Sequence, residues 1–221
     1  DLFVSEALKR LGPLVQQAEL LAAQYDAVVA NPPYMGSKGM NPQVKDLATD
    51  YFPNSKADLF AMFIERAIAQ AAGSGRVGIV APYVWMFLSS YESFRDSIAG
   101  QTSISSLIQL EYNAFEPACI PVATFSLIRC PVNNLVGTYV KLSDFKGHQN
   151  QAPRTLEAIR DPKCGWLFKV TPEEFTKIPG HPIIYWLPRP CYDLFGSETS
   201  IGDEASVSEG IKTGDNQRFL R

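Results

Sequence analysis

The stretch that most constrains this fold is YDAVVANPPYMG, residues 25–36, where a run of strand-forming residues ends in Asn31-Pro32-Pro33-Tyr34. Proline lacks a backbone donor and has a fixed φ angle, so two consecutive prolines end a strand and hold their neighbours extended. The tetrapeptide is therefore either a rigid turn that carries a ring, or a site that needs acceptors and a ring in fixed positions.

The segments on either side of the tetrapeptide carry different patterns. Before it, apolar residues recur at helical spacing over residues 5–24, with a break or kink near Gly12-Pro13, and YDAVVA reads as a short buried strand. After it, residues 35–57 contain glycine, serine and proline and predict a mobile loop.

Beyond this loop the sequence returns to regular elements. Residues 58–72 predict an almost wholly apolar helix, with Ser55 or Asp58 as its cap, and residues 75–82 predict another buried strand closed by a proline. The serine and glutamate of Ser89–Glu92 resemble a capping box that opens a further helix.

The second half of the chain changes character. The runs SISSLIQL, VATFSLIRC and GTYVKLSD follow one another without helices between them and predict an antiparallel end to the sheet. A polar segment at 145–163 indicates a linker or surface excursion. The order of elements predicts the second half of an α/β sheet, with the tetrapeptide beyond the carboxyl ends of the strands, where such sheets bind ligands.

Composition narrows the class of protein. With 46% hydrophobic and 19% charged residues the chain reads as an ordinary globular protein, and no apolar run is long enough to cross a bilayer. The net charge of −3 argues weakly against nucleic-acid binding. Four cysteines without paired spacing, beside two histidines, do not suggest a zinc site and favour free thiols in a reducing cytoplasm.

One chemistry explains the tetrapeptide well. An exocyclic amino group attacks poorly because its lone pair is delocalised into a ring or carbonyl. Two acceptors that bind its two N–H bonds can localise that pair, and the side-chain oxygen of Asn31 and the carbonyl of Pro32 are the natural candidates. Tyr34 then offers a flat face on which a base can stack.

The same residues carry a family resemblance. NPPY after a strand resembles the motif of S-adenosylmethionine-dependent amino-methyltransferases. The longer runs NPPYMGSKGMNP, YFPNSKADLFAMFIERA and GRVGIVAPYVWMFLSSYESFR, with KIPGHPIIYW and GIKTGDNQRFL, resemble the PglX-type adenine-specific DNA methyltransferases of bacteriophage-exclusion (BREX) defence systems.

The resemblance implies roles for particular residues. Asn31, Pro32, Pro33 and Tyr34 would hold the target adenine, and Phe115, in FEPACIPVATFSLIR, would stack on its other face. Two residues of the D-L-F element would lie beside the cofactor; these are Asp58 and Phe60. From the sequence alone, Asp58 is as well explained as a helix cap as by a place beside the cofactor. Phe115 is better explained by core packing than by stacking on a base.

The resemblance also implies a domain plan and partners. Residues 1–145 would form part of a Rossmann-like methyltransferase domain, 146–184 a linker, and 185–221 the start of a target-recognition domain that SEGIKTGDNQRF enters. Double-stranded DNA would be the substrate, S-adenosylmethionine the cofactor, and other phage-defence proteins possible partners.

One departure from the family pattern bears on activity. The glycine-rich cofactor loop should precede NPPY, yet Gly12 is the only glycine in residues 1–30. We therefore expect this chain to be a fragment of a longer methyltransferase and to be inactive alone. Two alternatives remain: a non-catalytic scaffold that binds DNA or defence partners, and an NPPY enzyme that methylates protein glutamine or RNA.

Overall fold

The computed structural model describes residues 2–115, 119–197 and 205. The SEGIKTGDNQRF motif lies outside the described residues. The helices are α1 (Leu2–Ala22), α2 (Pro42–Tyr51), α3 (Leu59–Gln70), α4 (Glu92–Gln101), α5 (His148–Arg160), α6 (Pro172–Thr176) and α7 (Arg189–Ser197). The strands are β1 (Tyr25–Ala30), β2 (Ala71–Pro82), β3 (Ser103–Gln109), β4 (Val122–Ile128), β5 (Gly137–Lys141) and β6 (Leu167–Val170).

The six strands form one sheet in the order β1-β2-β4-β3-β5-β6. Strands β1, β2, β3 and β5 run in one direction, whereas β4 is antiparallel to β2 and β3, and β6 is antiparallel to β5. The predicted antiparallel end of the sheet is present, although β5 runs parallel to β3. The fold is therefore α/β. The carboxyl ends of β1, β2, β3 and β5 all lie on the same side of the sheet, which forms its carboxyl edge.

The main core covers one face of the sheet. Alternate residues of the strands, including Val77, Ile79 and Leu107, pack against α3, α4 and the segment from Phe175 to Tyr185. A smaller cluster lies on the other face of the sheet. There Val140 of β5 and Leu142, just after this strand, pack against Ala158 of α5. The period-two pattern of a strand sends alternate side chains to opposite faces in this way.

The prediction that YDAVVA is a buried strand is wrong. Strand β1 lies at an edge of the sheet, and among the described residues it pairs with β2 alone. Most of its side chains are exposed, and Val29 is 81% exposed. Its β-branched residues predict a strand correctly, but the sequence does not show which neighbours cover it.

Helix α1 is continuous through Gly12-Pro13, where the sequence predicts a break or kink. Its apolar residues lie largely in solvent, with Leu8 66% and Leu14 60% exposed. Leu21 and Arg66 tie the end of the helix to α3 through a hydrogen bond from the Arg66 guanidinium to the Leu21 carbonyl.

The prediction of a mobile loop over residues 35–57 is wrong. The segment contains a 3-10 turn (Ser37–Gly39) and helix α2. The Oδ1 atom of Asn41 accepts a hydrogen bond from the amide of Val44 at 2.9 Å, and Pro42 occupies the first turn. An asparagine cap followed by proline is a helix start signal, and it outweighs the glycines before it.

The next two predictions are confirmed. Helix α3 lies within the predicted residues 58–72 but ends at Gln70, and Asp58 is its cap, because the carboxylate accepts a hydrogen bond from the amide of Phe60. Ser55, the other candidate, instead donates to Glu65 at 2.8 Å. Strand β2 includes the predicted residues 75–82 and begins earlier, at Ala71.

The predicted capping box at Ser89–Glu92 is wrong. Ser89 begins a 3-10 turn that ends at Tyr91, and Tyr91 is the residue before α4, without a side-chain cap. Tyr91 and Phe94 are buried with their rings 6.1 Å apart. Tyr91 also packs against Phe60, with ring centroids 5.9 Å apart, and a local spacing rule does not show this contact because the two residues are distant in sequence.

Residues 146–184 contain helices and a strand that join the sheet. They contain α5, β6 and α6, and β6 pairs with β5 in register from Gly137↔Val170 to Val140↔Leu167. The surface of α5 is polar enough to resemble a linker, but Ala158 and the ring of Trp166 pack beneath it. The proposed division into catalytic and recognition domains remains a prediction, and this stretch belongs structurally to the sheet.

Candidate functional site

The Asn31–Tyr34 tetrapeptide lies at the edge of the sheet where the four parallel strands end. Strand β1 ends at Ala30, immediately before it, and its parallel neighbour β2 ends at Pro82. Strand β3 ends at the same edge, at Gln109. Open α/β sheets bind their ligands at this edge.

Within the tetrapeptide the aromatic ring and the amide are held together. The Tyr34 hydroxyl lies 3.2 Å from Oδ1 of Asn31 and 3.3 Å from the carbonyl oxygen of Val80 in β2, so it can donate to either. Pro32 is buried, whereas Asn31 and Pro33 are exposed. The prolines therefore anchor the turn, and the Asn31 amide remains accessible to a ligand.

Asp58 holds the residues that follow the tetrapeptide. Its Oδ1 atom accepts hydrogen bonds from the amide of Met35 at 3.1 Å and from the amide of Phe60 at 3.2 Å. The backbone pairs here as well, with Leu59 N donating to Met35 O at 3.0 Å and an antiparallel bridge between Gly36 and Asp58. One carboxylate thus caps α3 and fixes the exit from Tyr34.

Two phenols near this site are held in the neutral form. Burial raises the pKa of Tyr34 above its ordinary value, so its hydroxyl is a donor at neutral pH. Burial, and secondly the negative charge of Asp58, raise the pKa of Tyr91 to about 12. The ring centroid of Tyr91 lies 5.9 Å from that of Phe60, which joins the Asp58 cap to the core.

The other predicted site residues lie in different environments. Phe60 is 1% exposed within the main core, so its side chain supports the fold beneath the cap. Phe115 is 51% exposed and lies on the connection from β3 to β4, at the same edge as Asn31. The carboxylate of Glu111 holds the start of this connection through the amides of Asn113 at 2.9 Å and Gly147 at 3.2 Å.

The sequence interpretation missed a group of residues at this edge. The Tyr185 hydroxyl donates to Oε1 of Gln109, the last residue of β3, at 2.8 Å. Trp186, beside it, contacts Phe87 with ring centroids 5.6 Å apart, and Phe87 contacts Tyr83 at 6.1 Å. The density of proline and aromatic residues in 177–186 was the available signal, since a polar linker lacks such residues.

The described residues do not by themselves fit S-adenosylmethionine. A nucleotide-like cofactor needs a close backbone approach, which glycine-rich turns supply. Gly12 is the only glycine among residues 2–30, and it lies inside α1. No cluster of potential metal ligands occurs among the described residues either.

Comparison with known proteins first defines the class. Residues 8–115 match the family model described as Eco57I restriction-modification methylase. This match ends at Phe115 and includes the whole Asn31–Tyr34 segment.

Two named relatives then match nearly the whole chain. The chain is 31% identical over 212 residues to the adenine-specific methyltransferase PglX of Lacticaseibacillus casei (strain Zhang), covering 94% of this chain. It is 37% identical over 225 residues to the adenine-specific methyltransferase BrxX of Escherichia coli O9:H4 (strain HS), covering 100% of this chain. The chain is therefore related to the PglX-type adenine-specific methyltransferases, and the predicted resemblance is confirmed. It spans 18% of the length of each relative.

Solved structures support the fold. The type I restriction-modification methyltransferase subunit from Streptococcus thermophilus is 18% identical, with a TM-score of 0.54 over 74% of this chain and 38% of that one. The type ISP restriction-modification enzyme LlaGI, solved with a DNA substrate mimic, is 16% identical, with a TM-score of 0.55 over 76% of this chain and 16% of that one. The predicted methyltransferase-like α/β fold is confirmed. Among the described helices, none is long and apolar enough to span a membrane.

Proposed function

We propose that this chain is the adenine-holding section of a site-specific DNA N6-adenine methyltransferase that marks host DNA in phage defence. The observation that carries the proposal is the placement of Asn31, Pro32, Pro33 and Tyr34 at the carboxyl edge of the sheet, with Asp58 holding Met35 behind them. Named relatives that are adenine-specific methyltransferases support the choice of base. The LlaGI enzyme, solved with a DNA substrate mimic, supports DNA as the polymer.

The substrate group is the exocyclic amine of adenine. One N–H would donate to Oδ1 of Asn31 and the other to the carbonyl of Pro32. A carbonyl oxygen has two lone pairs, so Asn31 can accept from the base while it also accepts from Tyr34. The Tyr34 hydroxyl would thereby keep the amide oxygen turned toward the base.

The base must leave the duplex to reach this edge. Extrusion costs a few kcal/mol, stacking on an aromatic ring returns about 1–3 kcal/mol, and each neutral hydrogen bond adds about 0.5–1.5 kcal/mol. One stack on Tyr34 and two hydrogen bonds therefore roughly offset extrusion. Phe115, exposed at the same edge, would cover the second face of the base and add to this balance.

S-adenosylmethionine would supply the methyl group. Because the described residues lack a glycine-rich turn before β1, we propose that other parts of the whole protein provide the main cofactor contacts. Asp58 and Phe60 would act indirectly, by fixing the end of α3 and the turn after Tyr34. The 221-residue chain alone should therefore show no methyl transfer, and turnover with S-adenosylmethionine would contradict this part of the proposal.

The test is made in cells that carry the complete gene, with adenine methylation mapped across the chromosome. Asn31→Ala should abolish the methylated motif, because the base loses an acceptor for its amino group. Asn150→Ala is the matched control, since Asn150 is a half-buried residue of α5 whose side-chain amide donates to the Lys146 carbonyl, four residues earlier. Methylation that persists in Asn31→Ala would refute the role of Asn31.

A second pair of variants separates stacking from hydrogen bonding. Tyr34→Phe keeps the ring but loses the bond to Oδ1 of Asn31, so it should lower methylation without abolishing it, whereas Tyr34→Ala should abolish it. If wild-type cells lack the adenine mark but contain methylated glutamine in a protein or methylated RNA that depends on Asn31, the DNA substrate is wrong. Retention of phage defence by Asn31→Ala without any methylation would favour a non-catalytic scaffold.

A further inference from the structure

A closed ring of hydrogen bonds joins the connection after β3 to the start of α5. The backbone amide of Glu111 donates to Oε1 of Gln151 at 3.1 Å, and Nε2 of Gln151 donates to the carbonyl of Gly147 at 3.1 Å. The amide of Gly147 donates back to Oε2 of Glu111 at 3.2 Å. Both side chains are buried, with Glu111 6% and Gln151 7% exposed. A buried polar network whose groups are paired makes the segments that it joins rigid.

The turn before α5 is shaped for this ring of hydrogen bonds. Gly147 has a φ angle of +87°, a left-handed value that residues with a Cβ atom rarely adopt. Nε2 of Gln151 also donates to the carbonyl of Phe145 at 2.7 Å. Gln151 therefore holds both ends of the turn over residues 145–147, and α5 begins directly after it.

Glu111 also fixes the backbone that leads to Phe115. Its Oε2 atom accepts from the amide of Asn113 at 2.9 Å, and its carbonyl accepts from the amide of Ala114 at 3.0 Å. Glu111 thus binds two of the three residues that separate it from Phe115. The ring of Phe115 is 51% exposed, so it adds little to the core. Buried polar groups therefore order this loop, while its aromatic side chain faces solvent at the carboxyl edge.

A loop that is ordered in advance makes a better stacking surface than a mobile one. Fixing even one or two backbone residues costs a conformational free energy comparable to what one base stack supplies. A base that stacked on a mobile ring would therefore gain little. Hydrogen bonds within the folded protein meet this cost before the base arrives.

We propose that Glu111 and Gln151 are positioning residues that hold Phe115 against the second face of the extruded adenine. This inference rests on the proposed function, because Phe115 meets a base only if this edge of the sheet receives one. Neither residue touches the base. Both act through the backbone of the loop, and Gln151 makes α5 part of the support for that loop.

The test uses the complete methyltransferase and a duplex that carries its methylated motif. The single-turnover rate of methyl transfer and the affinity for the duplex are measured separately. Phe115→Ala should slow transfer by about 5- to 150-fold, the factor that one base stack supplies. Glu111→Ala and Gln151→Met should slow it by a factor no larger than that. Affinity for the duplex should change little, because phosphate contacts dominate it.

A double-mutant cycle shows whether Glu111 acts through Phe115. The variant that combines Glu111→Ala with Phe115→Ala should be no slower than Phe115→Ala alone, since the second change removes the ring that the first one misplaces. Glu111→Gln keeps an oxygen for the amides of Asn113 and Gly147 and should restore most of the rate. If Glu111→Ala does not fold, Gln151→Met takes its place in the cycle.

Hydrogen exchange followed by mass spectrometry reports the loop without reference to activity. Residues 112–115 should exchange faster in Glu111→Ala than in the wild type, but not in Glu111→Gln. Ser103→Ala is the matched control. Ser103 lies at the opposite end of β3, is 4% exposed and accepts from the amide of Val132 at 2.8 Å. Its loss should lower stability and leave both the transfer rate and the exchange of residues 112–115 unchanged.

Three results would overturn the inference while the proposed function stands, provided that Asn31→Ala is inactive in the same assay. The first is a double variant slowed by the product of the two single factors. The second is a wild-type rate in both Glu111→Ala and Gln151→Met. The third is a loss in Glu111→Gln as large as that in Glu111→Ala. A wild-type enzyme that methylates no duplex DNA would instead overturn the proposed function, and this inference with it.

Discussion

Replacing Asp58 by alanine tests how the turn after Tyr34 is held. The carboxylate accepts from the amide of Phe60, at the start of α3, and from the amide of Met35, directly after the tetrapeptide. Alanine removes both bonds at once. The substitution therefore uncaps a core helix and releases the turn in a single step.

The expected loss is about 2 kcal/mol in the free energy of unfolding. Loss of a helix cap costs about 1 kcal/mol, and loss of one further backbone hydrogen bond costs about 1 kcal/mol. Asn41 provides the matched comparison, because its side chain accepts from Val44 alone at the start of α2. Asn41→Ala should therefore cost about 1 kcal/mol, roughly half as much.

Urea unfolding followed by circular dichroism measures both losses, provided that the slope with urea is unchanged. Asp58→Asn keeps an acceptor oxygen and should recover most of the loss. Amide hydrogen exchange should show faster exchange at Met35 in Asp58→Ala, but not in Asn41→Ala. The two-bond explanation is refuted if Asp58→Ala is no more destabilising than Asn41→Ala, or if exchange at Met35 is unchanged.

Three further substitutions test other contacts by the same unfolding assay. Arg95→Met should cost about 3 kcal/mol or more, since it strands buried carbonyl acceptors, and a loss below about 1 kcal/mol would contradict this. Gly137→Ala should cost about 1–3 kcal/mol, because a Cβ there would lie 2.8 Å from the Ile104 carbonyl, whereas Gly73→Ala, with open space around it, should change little. The free energy of unfolding should fall as pH rises from about 10 through about 12, because the folded state keeps Tyr91 protonated while the unfolded state loses that proton. Tyr91→Phe should make this fall shallower. An unchanged dependence on pH would refute the contribution of Tyr91.

The parts of the fold that the sequence predicts well are those fixed by local chemistry. The helix α3 and its Asp58 cap were predictable, because an aspartate before a long apolar run leaves few other conformations. The strand over residues 75–82 was predictable for a similar reason, since its alternate residues pack on the core. The Asn41-Pro42 pair also predicts the start of α2, but the glycines before it favoured the prediction of a loop.

The remaining features depend on contacts distant in sequence. Tyr91 lies inside the core and displaces the capping box at Ser89, and Trp166 lies under α5 through a hydrogen bond from its indole to the Arg154 carbonyl at 3.1 Å. The bond between Tyr185 and Gln109 joins residues that are 76 positions apart. No local pattern indicates that such residues meet, so the sequence predicts the tetrapeptide and its cap but not the aromatic group beside it.

The exposed position of β1 affects how the purified chain associates in solution. Among the described residues no strand pairs with the outer side of β1, where Val29 is exposed, and an unpaired strand edge is a template for another strand. The leucines of α1 add apolar surface that favours association. At high concentration the chain should form edge-to-edge oligomers and precipitate, and a lysine at Val29 is the simplest remedy. Any dimer seen in crystals or on a sizing column must first be checked against that variant before it is given a biological meaning.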